Sequence, residues 1–258
     1  MTPPSEVSAL LDELLAGVTQ ALSDNLLGFY LRGSLALGDF NPETSDVDIL
    51  VVTERPVSEA EFEALAALHT RIPAGDNQYR RRYEISYIDR VAIRRFKPAE
   101  RRHLSIASDS PFSWSDHRPN WVLERWTVRE RGVTVAGPDP KTLIDPISTA
   151  EILKAVGDEL RERLGHWTDG SWAHESLLHR GAQVFEIETV CRALYTIKSG
   201  ELLPKRQAIA WALDTLPEPW QALIEWSQAY RGDKTRDATK IPEVIRFLRW
   251  AASEARSE

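Results

Sequence analysis

Apolar residues recur along the first part of the chain at two spacings, one typical of helices and the other of strands. Between residues 5 and 23 they lie three or four positions apart, which predicts an amphipathic helix. Apolar runs at 26–31 and 47–53 predict two strands, and the alternation over 83–88 predicts a third. The N-terminal part therefore combines helices with a sheet.

Two further helices and one irregular segment complete this half of the chain. Ser58 followed by Glu61 forms a capping box, which opens a helix that runs to about His69. Residues 96–118 mix proline, serine, aspartate and histidine with little periodicity, so we expect a loop-rich excursion there. Helical spacing returns over residues 121–131.

The strand signals stop after Asp145–Pro146. Beyond this break the apolar residues keep helical spacing, with a C-cap glycine at Gly200 and a helix-start proline at Pro242. About five helices are predicted, around residues 152–164, 177–195, 208–213, 220–230 and 242–251. We therefore predict an α+β protein, with a mixed sheet and helices in an N-terminal domain (1–148) and an all-α helical bundle after it (149–258).

The net charge, the apolar stretches and the cysteine count indicate which classes of protein this chain can belong to. The 258 residues carry a formal net charge of −7, which argues against a nucleic-acid-binding protein because such proteins present a basic surface. No apolar stretch is long enough to span a membrane and no basic-apolar leader opens the chain, so we expect a cytoplasmic protein. The single Cys191 excludes an internal disulfide, and its helical setting predicts a buried thiol. An acidic surface is compatible with a cationic small-molecule partner.

The strongest candidate chemistry lies between Gly33 and the end of the second predicted strand. Glycine lets the backbone approach a phosphate closely, and Ser34 offers an N–H and a hydroxyl to the same group. Asp46 and Asp48 stand two apart at the head of the strand, so their carboxylates point to the same face. Neighbouring carboxylates repel unless a cation lies between them, and Mg²⁺ takes one or two carboxylates together with substrate phosphates. The spacing therefore predicts a magnesium-dependent nucleotidyl-transfer site.

This pattern of Gly-Ser, a spacer and Asp-x-Asp resembles that of the DNA polymerase β-type nucleotidyltransferase superfamily. Within it, the chain is similar to the aminoglycoside nucleotidyltransferases of the streptomycin/spectinomycin type, and the similarity runs over most of the chain. The resemblance implies an adenylyltransferase that moves AMP from ATP to a hydroxyl of a small molecule, with Mg²⁺ as cofactor. In such an enzyme Asp46 and Asp48 bind the metal, while Gly33 and Ser34 contact ATP.

Glu84 is the candidate general base. It lies inside the predicted strand 83–88, where a charge is unfavourable unless it faces solvent or a site. Nucleotidyl transfer needs a carboxylate within hydrogen-bond reach of the acceptor hydroxyl. The family has a catalytic glutamate on the matching strand, which implies that role for Glu84. Two alternatives stay open, a third metal ligand and a solvated strand face shared with Ser86.

The helical half carries residues that the resemblance assigns to the nucleotide. Residues 191–205 follow the family pattern of Arg-x-x-Tyr, a glycine-ended helix and then Pro-Lys. In that family the arginine and the lysine reach across an interdomain cleft to the ATP phosphates, which implies this role for Arg192 and Lys205. Lys205 also follows Pro204 at a helix start, where backbone donors favour anions. Tyr230 matches a family tyrosine near the nucleotide.

The acceptor side matches the family less well. The acidic residue that grips the cationic drug in the family corresponds to Ala182 here. Glu186 and Glu188 lie nearby, face different sides of the helix, and are candidates to replace it. Trp167 and Trp172 lie where the family has a tryptophan in a substrate loop, although packing is the commoner role of such residues.

These features together predict an ATP-dependent O-adenylyltransferase that acts as a monomer on a cationic, aminoglycoside-like acceptor. One alternative is a nucleotidyltransferase whose acceptor is a different metabolite or a protein. Another is a non-catalytic binding or antitoxin module. Retention of Asp46, Asp48 and Glu84 argues against the second alternative, because a binding protein does not need the mutually repelling pair.

Overall fold

The apolar runs predicted as strands pair with one another in a single sheet of the N-terminal unit, Met1–Ile147. The computed structural model describes residues 3–107, 110–168, 175 and 177–255. The strands are β1 Leu26–Leu31, β2 Val47–Thr53, β3 Tyr83–Asp89, β4 Arg102–Ala107, β5 Ser110–Asp116 and β6 Val133–Ala136. Their order in the sheet is β5-β4-β3-β2-β1-β6. The sheet is mixed as predicted, since β2 and β3 run parallel while the other pairs are antiparallel.

Helices cover both faces of this sheet. They are α1 Ser5–Leu22, α2 Gly33–Leu37, α3 Glu59–Arg71, α4 Arg90–Ile93 and α5 Trp121–Arg131. Side chains alternate along β2, so Ile49 joins the buried cluster of α1 and α3 while Leu50 joins that of α5. The predicted capping box of α3 is present, because Ser58 and Glu61 each accept a hydrogen bond from the other's backbone N–H.

The expectation of a loop-rich excursion over residues 96–118 is wrong. Most of the segment forms the antiparallel pair β4 and β5, with Leu104 opposite Trp114 and Ser105 opposite Ser113. β5 is an edge strand with mostly exposed side chains, so its sequence lacks the apolar alternation of a half-buried strand. Backbone pairing with β4 holds this strand, which is why its residue pattern did not indicate it.

The C-terminal unit, Ser148–Glu258, confirms the predicted helical bundle. Its long helices are α6 Thr149–Thr168, α7 Arg180–Ser199, α8 Lys205–Thr215, α9 Glu218–Gln228 and α10 Ile241–Glu254. α7 lies at the centre, since it contacts each of the other four. Its buried face includes Val184, Ile187 and Cys191, which confirms the predicted buried thiol. Among the described residues, no helix of either unit is long and apolar enough to cross a membrane.

The C-terminal end of α7 agrees with the prediction, but its N-terminal end does not. The apolar residues 177–195 do not form one continuous helix, because Leu178 and His179 interrupt it. The Leu178 carbonyl oxygen accepts from the Asp237 N–H at 2.7 Å, and His179 forms an isolated bridge with Arg236. At the other end, Gly200 has a φ of +74° and its N–H donates to the Thr196 carbonyl oxygen, as predicted for a C-cap.

Candidate active site

Three neighbouring strands bring the predicted carboxylates together. β2 and β3 pair in parallel with Asp48 opposite Glu84. The N–H of Arg32, directly after β1, donates to the Asp48 carbonyl oxygen at 2.9 Å. Because opposite residues on adjacent strands point to the same face, the side chains of Arg32, Asp48 and Glu84 lie side by side. The structure therefore places the predicted metal ligand Asp48 next to the predicted base Glu84.

Gly33 packs directly against this group. Its φ is +59°, in the left-handed region, and a Cβ at this position would lie 1.9 Å from Asp48 Oδ2. Gly33 and Ser34 open the short helix α2. The Ser34 hydroxyl is buried and has no hydrogen-bond partner among the described residues. A glycine cradle with an unsatisfied hydroxyl beside it suits a phosphate group.

Arg32 connects the site carboxylates and was missed by the sequence analysis. Its Nη1 lies 3.0 Å from Glu124 Oε2 and 3.5 Å from Asp48 Oδ1, while its Nη2 lies 3.6 Å from Glu84 Oε2. Burial disfavours the charge on Arg32, yet Glu124, Asp48 and Glu84 raise its pKa above the ordinary value. Asp46 pairs with a different arginine, because Arg82 Nε lies 3.7 Å from Asp46 Oδ1.

The sequence carried a weak indication for Arg32 and none for Glu124. Arg32 precedes the Gly-Ser pair, so its proximity to the motif was the one available indication. Glu124 lies 92 positions further along on α5, in a helix predicted for its apolar spacing alone. Only the packing of α5 on the sheet brings the two residues together.

The surroundings of Glu84 favour its protonated form. Partial burial raises its pKa to about 7, and the charges of Asp48, Asp46 and Glu124 act in the same direction against the lowering effect of Arg32. A carboxylate of this kind takes up a proton near neutral pH, which is the property expected of a general base. The raised pKa of Glu84 thus results first from burial and then from the acidic residues around it.

The acidic residues fit a two-carboxylate magnesium site. Among the described residues, no three side chains of the His, Cys, Asp or Glu types converge so that they could hold one metal ion. Asp46 and Asp48 would therefore supply two ligands, with substrate phosphates near Gly33 and Ser34 completing the shell. This donor set suits Mg²⁺.

The predicted nucleotide residues of the helical unit are placed as follows. Arg192 is half-buried on α7. Lys205 begins α8, with its Nζ 3.4 Å from Glu188 Oε2 and 4.7 Å from the centre of the Phe185 ring. The Tyr230 ring lies 4.5 Å from the guanidinium carbon of Arg180. Lys205 is thus held at its helix start by a buried carboxylate and an aromatic ring.

The two candidate replacements for the family's acidic residue are buried. Glu186 accepts a hydrogen bond from Arg163 at 2.6 Å, and Glu188 pairs with Arg231 as well as with Lys205. Both carboxylates are buried and paired with cations of their own unit, which argues against their gripping a cationic drug. Of the two tryptophans, Trp167 is half-buried at the end of α6, and Trp172 lies outside the described residues.

Both units match known protein families. Residues 12–109 match the nucleotidyltransferase domain, and residues 142–254 match the C-terminal domain of aminoglycoside adenylyltransferases. The chain is 26% identical to an aminoglycoside (3'') (9) adenylyltransferase of Shigella flexneri, over 97% of this chain and 95% of that protein. It is 24% identical to a spectinomycin 9-adenylyltransferase of Campylobacter jejuni, over 89% and 87% of the two chains.

The fold also matches a solved structure. This is a spectinomycin adenyltransferase from Enterococcus faecialis, crystallised with ATP and spectinomycin. The match has a TM-score of 0.75 and covers 96% of this chain and 99% of that one, at 17% sequence identity. At this identity the match establishes the shared fold.

Proposed function

Since the chain belongs to the nucleotidyltransferases and, through its helical unit, to the aminoglycoside adenylyltransferases, we propose that it transfers AMP from ATP to a hydroxyl group of an aminoglycoside-like small molecule. The observation that carries this proposal is the alignment of Asp48 and Glu84 on adjacent strands, with Gly33 packed against Asp48. This arrangement combines candidate binding sites for a phosphate and a cation with a candidate proton acceptor, on one face of the sheet.

Each residue of this face then has a role in the reaction. Gly33 lets a phosphate approach the backbone, and the Ser34 hydroxyl donates to it. Asp46 and Asp48 would hold Mg²⁺, which when bound neutralises phosphate charge and polarises the α-phosphorus. The oxygen of the acceptor hydroxyl attacks the α-phosphorus of ATP, and Glu84 accepts the proton of this hydroxyl. The bond between the α-phosphorus and the pyrophosphate oxygen breaks, and pyrophosphate leaves. The position of Glu84 opposite Asp48 on the adjacent strand supports this role, because it places the base beside the candidate metal ligands.

Residues of the helical unit would complete the nucleotide site. We assign phosphate contacts to Arg192 and Lys205 and a nucleotide contact to Tyr230, on their match to the family pattern. Lys205 supports this assignment physically, because Glu188 and Phe185 restrain a long side chain that would otherwise lose entropy on binding.

The acceptor is proposed from the activities of the relatives, which are an aminoglycoside (3'') (9) adenylyltransferase and a spectinomycin 9-adenylyltransferase. The net charge of −7 is compatible with a cationic acceptor. Two observations favour a second candidate function with the same chemistry but a different acceptor. The residue at the family's acidic position is Ala182, and the nearby Glu186 and Glu188 are buried.

Mass spectrometry of acceptors incubated with the protein, ATP and Mg²⁺ tests the function. We expect an AMP adduct on spectinomycin or streptomycin and an equal amount of pyrophosphate. The Asp48→Asn variant is the control for contaminating activity and should yield neither product. An adduct found only on a different class of metabolite or on a protein would support the second candidate. Absence of pyrophosphate and of any adduct across the panel would refute the proposed function.

A further inference from the structure

The side chain of Arg32 lies between three carboxylates, but it hydrogen-bonds to the one that is remote from the motif. Within the part of the chain that the structure describes, its only hydrogen bond is from Nη1 to Glu124 Oε2, at 3.0 Å. Asp48 and Glu84 lie 3.5 and 3.6 Å away, too far for a strong hydrogen bond although close enough for electrostatic attraction. Arg32 thus shares its charge with the site while Glu124 holds its position.

Other contacts restrain the same guanidinium. Trp121, one turn before Glu124 on α5, places its ring centre 5.3 Å from the Arg32 guanidinium carbon. The Arg32 backbone is fixed by the bond to the Asp48 carbonyl oxygen, and the residue is buried. The first turn of α5 therefore supplies both the ring and the carboxylate that hold Arg32.

We propose that Arg32, anchored by Glu124 of α5, is a positioning residue that keeps the carboxylates of Asp48 and Glu84 in the geometry required for catalysis. This inference rests on the proposed function. The like charges of Asp48 and Glu84 repel, and a fixed guanidinium at about equal distance from both offsets that repulsion. Glu124 stops the guanidinium from forming direct hydrogen bonds with Glu84, which would occupy the oxygens that must receive the acceptor proton.

Kinetics of Glu124 variants test this role. We expect Glu124→Ala to lower kcat by about 10- to 100-fold, because small misplacements of catalytic groups have effects of this size. The KM for ATP should change less than about threefold, since Gly33, Ser34 and Asp46 are untouched. Glu124→Gln should recover most of the lost kcat, because its amide oxygen still accepts from Arg32.

Glu130 offers a matched control on the same helix. It pairs with Arg129 and Lys141, so Glu130→Ala also removes carboxylate ion pairs of α5. If Glu124→Ala and Glu130→Ala give the same kcat, the positioning role is refuted. Should Glu124→Ala fail to fold, Arg32→Lys takes its place, because lysine keeps the charge and loses the fork that reaches several carboxylates. A wild-type kcat in Arg32→Lys would then overturn the inference.

A second readout does not depend on activity. In ¹⁵N NMR, we expect a resolved, slowly exchanging guanidinium signal for Arg32, identified by its loss in Arg32→Lys. The signal should disappear in Glu124→Ala and persist in Glu124→Gln and Glu130→Ala. An unchanged signal in Glu124→Ala would overturn the inference even if the enzyme proved active. If no acceptor is adenylylated, the proposed function fails, while this measurement still reports whether Glu124 holds Arg32.

Discussion

At the scale of single residues, the site depends on close contacts that leave little room for substitution. Gly33 touches the Asp48 carboxylate, and Arg32 lies within 3.6 Å of both Asp48 and Glu84. The Arg32 guanidinium offsets the repulsion between Asp48 and Glu84, because it lies beside both. Substitutions here should therefore affect activity more than stability.

Two glycines, one at the start of α2 and one at its C-cap, allow the effect of the contact with Asp48 to be separated from that of backbone strain. Gly33 and Gly38 both have positive φ, at +59° and +72°, but a Cβ at Gly38 would meet nothing within 4 Å. Each substitution by alanine should lower the unfolding free energy by about 1 kcal/mol. Gly33→Ala should in addition lower kcat/KM by at least about 100-fold, as its Cβ displaces Asp48. Similar kcat/KM values for the two variants would contradict this.

The role of Glu84 can be tested by an isosteric change. Glu84→Gln should lower kcat by about 10²–10⁴-fold, because the amide cannot accept the acceptor proton. The Kd for ATP–Mg²⁺, measured by calorimetry, should stay near the wild-type value. A collapse of ATP–Mg²⁺ binding would instead identify Glu84 as a metal ligand.

At the scale of elements, helix α3 is joined to strand β3 by a buried polar cluster. His69 contacts the hydroxyls of Tyr83 and Tyr87 at 2.9 and 2.8 Å, one through each ring nitrogen. Burial lowers the pKa of His69 to about 4. The neutral imidazole thus satisfies both hydroxyls without an ion pair.

This cluster predicts a loss of stability in mild acid. The ordinary pKa of histidine is 6.5, and that of folded His69 is about 4. Between these pH values, His69 binds a proton in the unfolded chain but not in the folded one. The free energy of unfolding therefore falls as the pH drops through this window. The contribution is about 2 kcal/mol between pH 7 and pH 5. Urea unfolding of wild type and His69→Asn at both pH values measures it, since the other histidines titrate in both proteins. If the unfolding free energies of the two proteins depend equally on pH, the contribution of His69 is ruled out.

At the scale of the whole molecule, the chain consists of two units that each have a core of their own. The N-terminal unit contains the metal and base candidates, and the helical unit contains Arg192, Lys205 and Tyr230. Under the proposed function, nucleotide binding depends on Lys205 of the helical unit, on the family pattern.

Replacement of Lys205 tests this dependence. Lys205→Ala should raise the Kd for ATP–Mg²⁺ about tenfold through the loss of a phosphate contact. The fold should persist, because Glu188 keeps its pairing with Arg231. Lys198→Ala, which removes an exposed lysine of α7, is the control and should bind ATP like the wild type. Equal Kd values for the two variants would remove Lys205 from the nucleotide site.

The sequence by itself determined the order of elements, the mixed sheet followed by a helical bundle, and the local motif from Gly33 to Asp48. These are encoded by residues close together in the chain, through periodicity, caps and strand alternation. The edge hairpin β4–β5 was not determined in this way, because backbone pairing and not an apolar pattern holds it. Tertiary structure alone decided that Arg32 donates to Glu124. It also decided that Glu186 pairs with Arg163 and Glu188 with Arg231, since each of these contacts joins residues more than twenty positions apart. Such contacts depend on how elements pack, and no local spacing in the sequence records them.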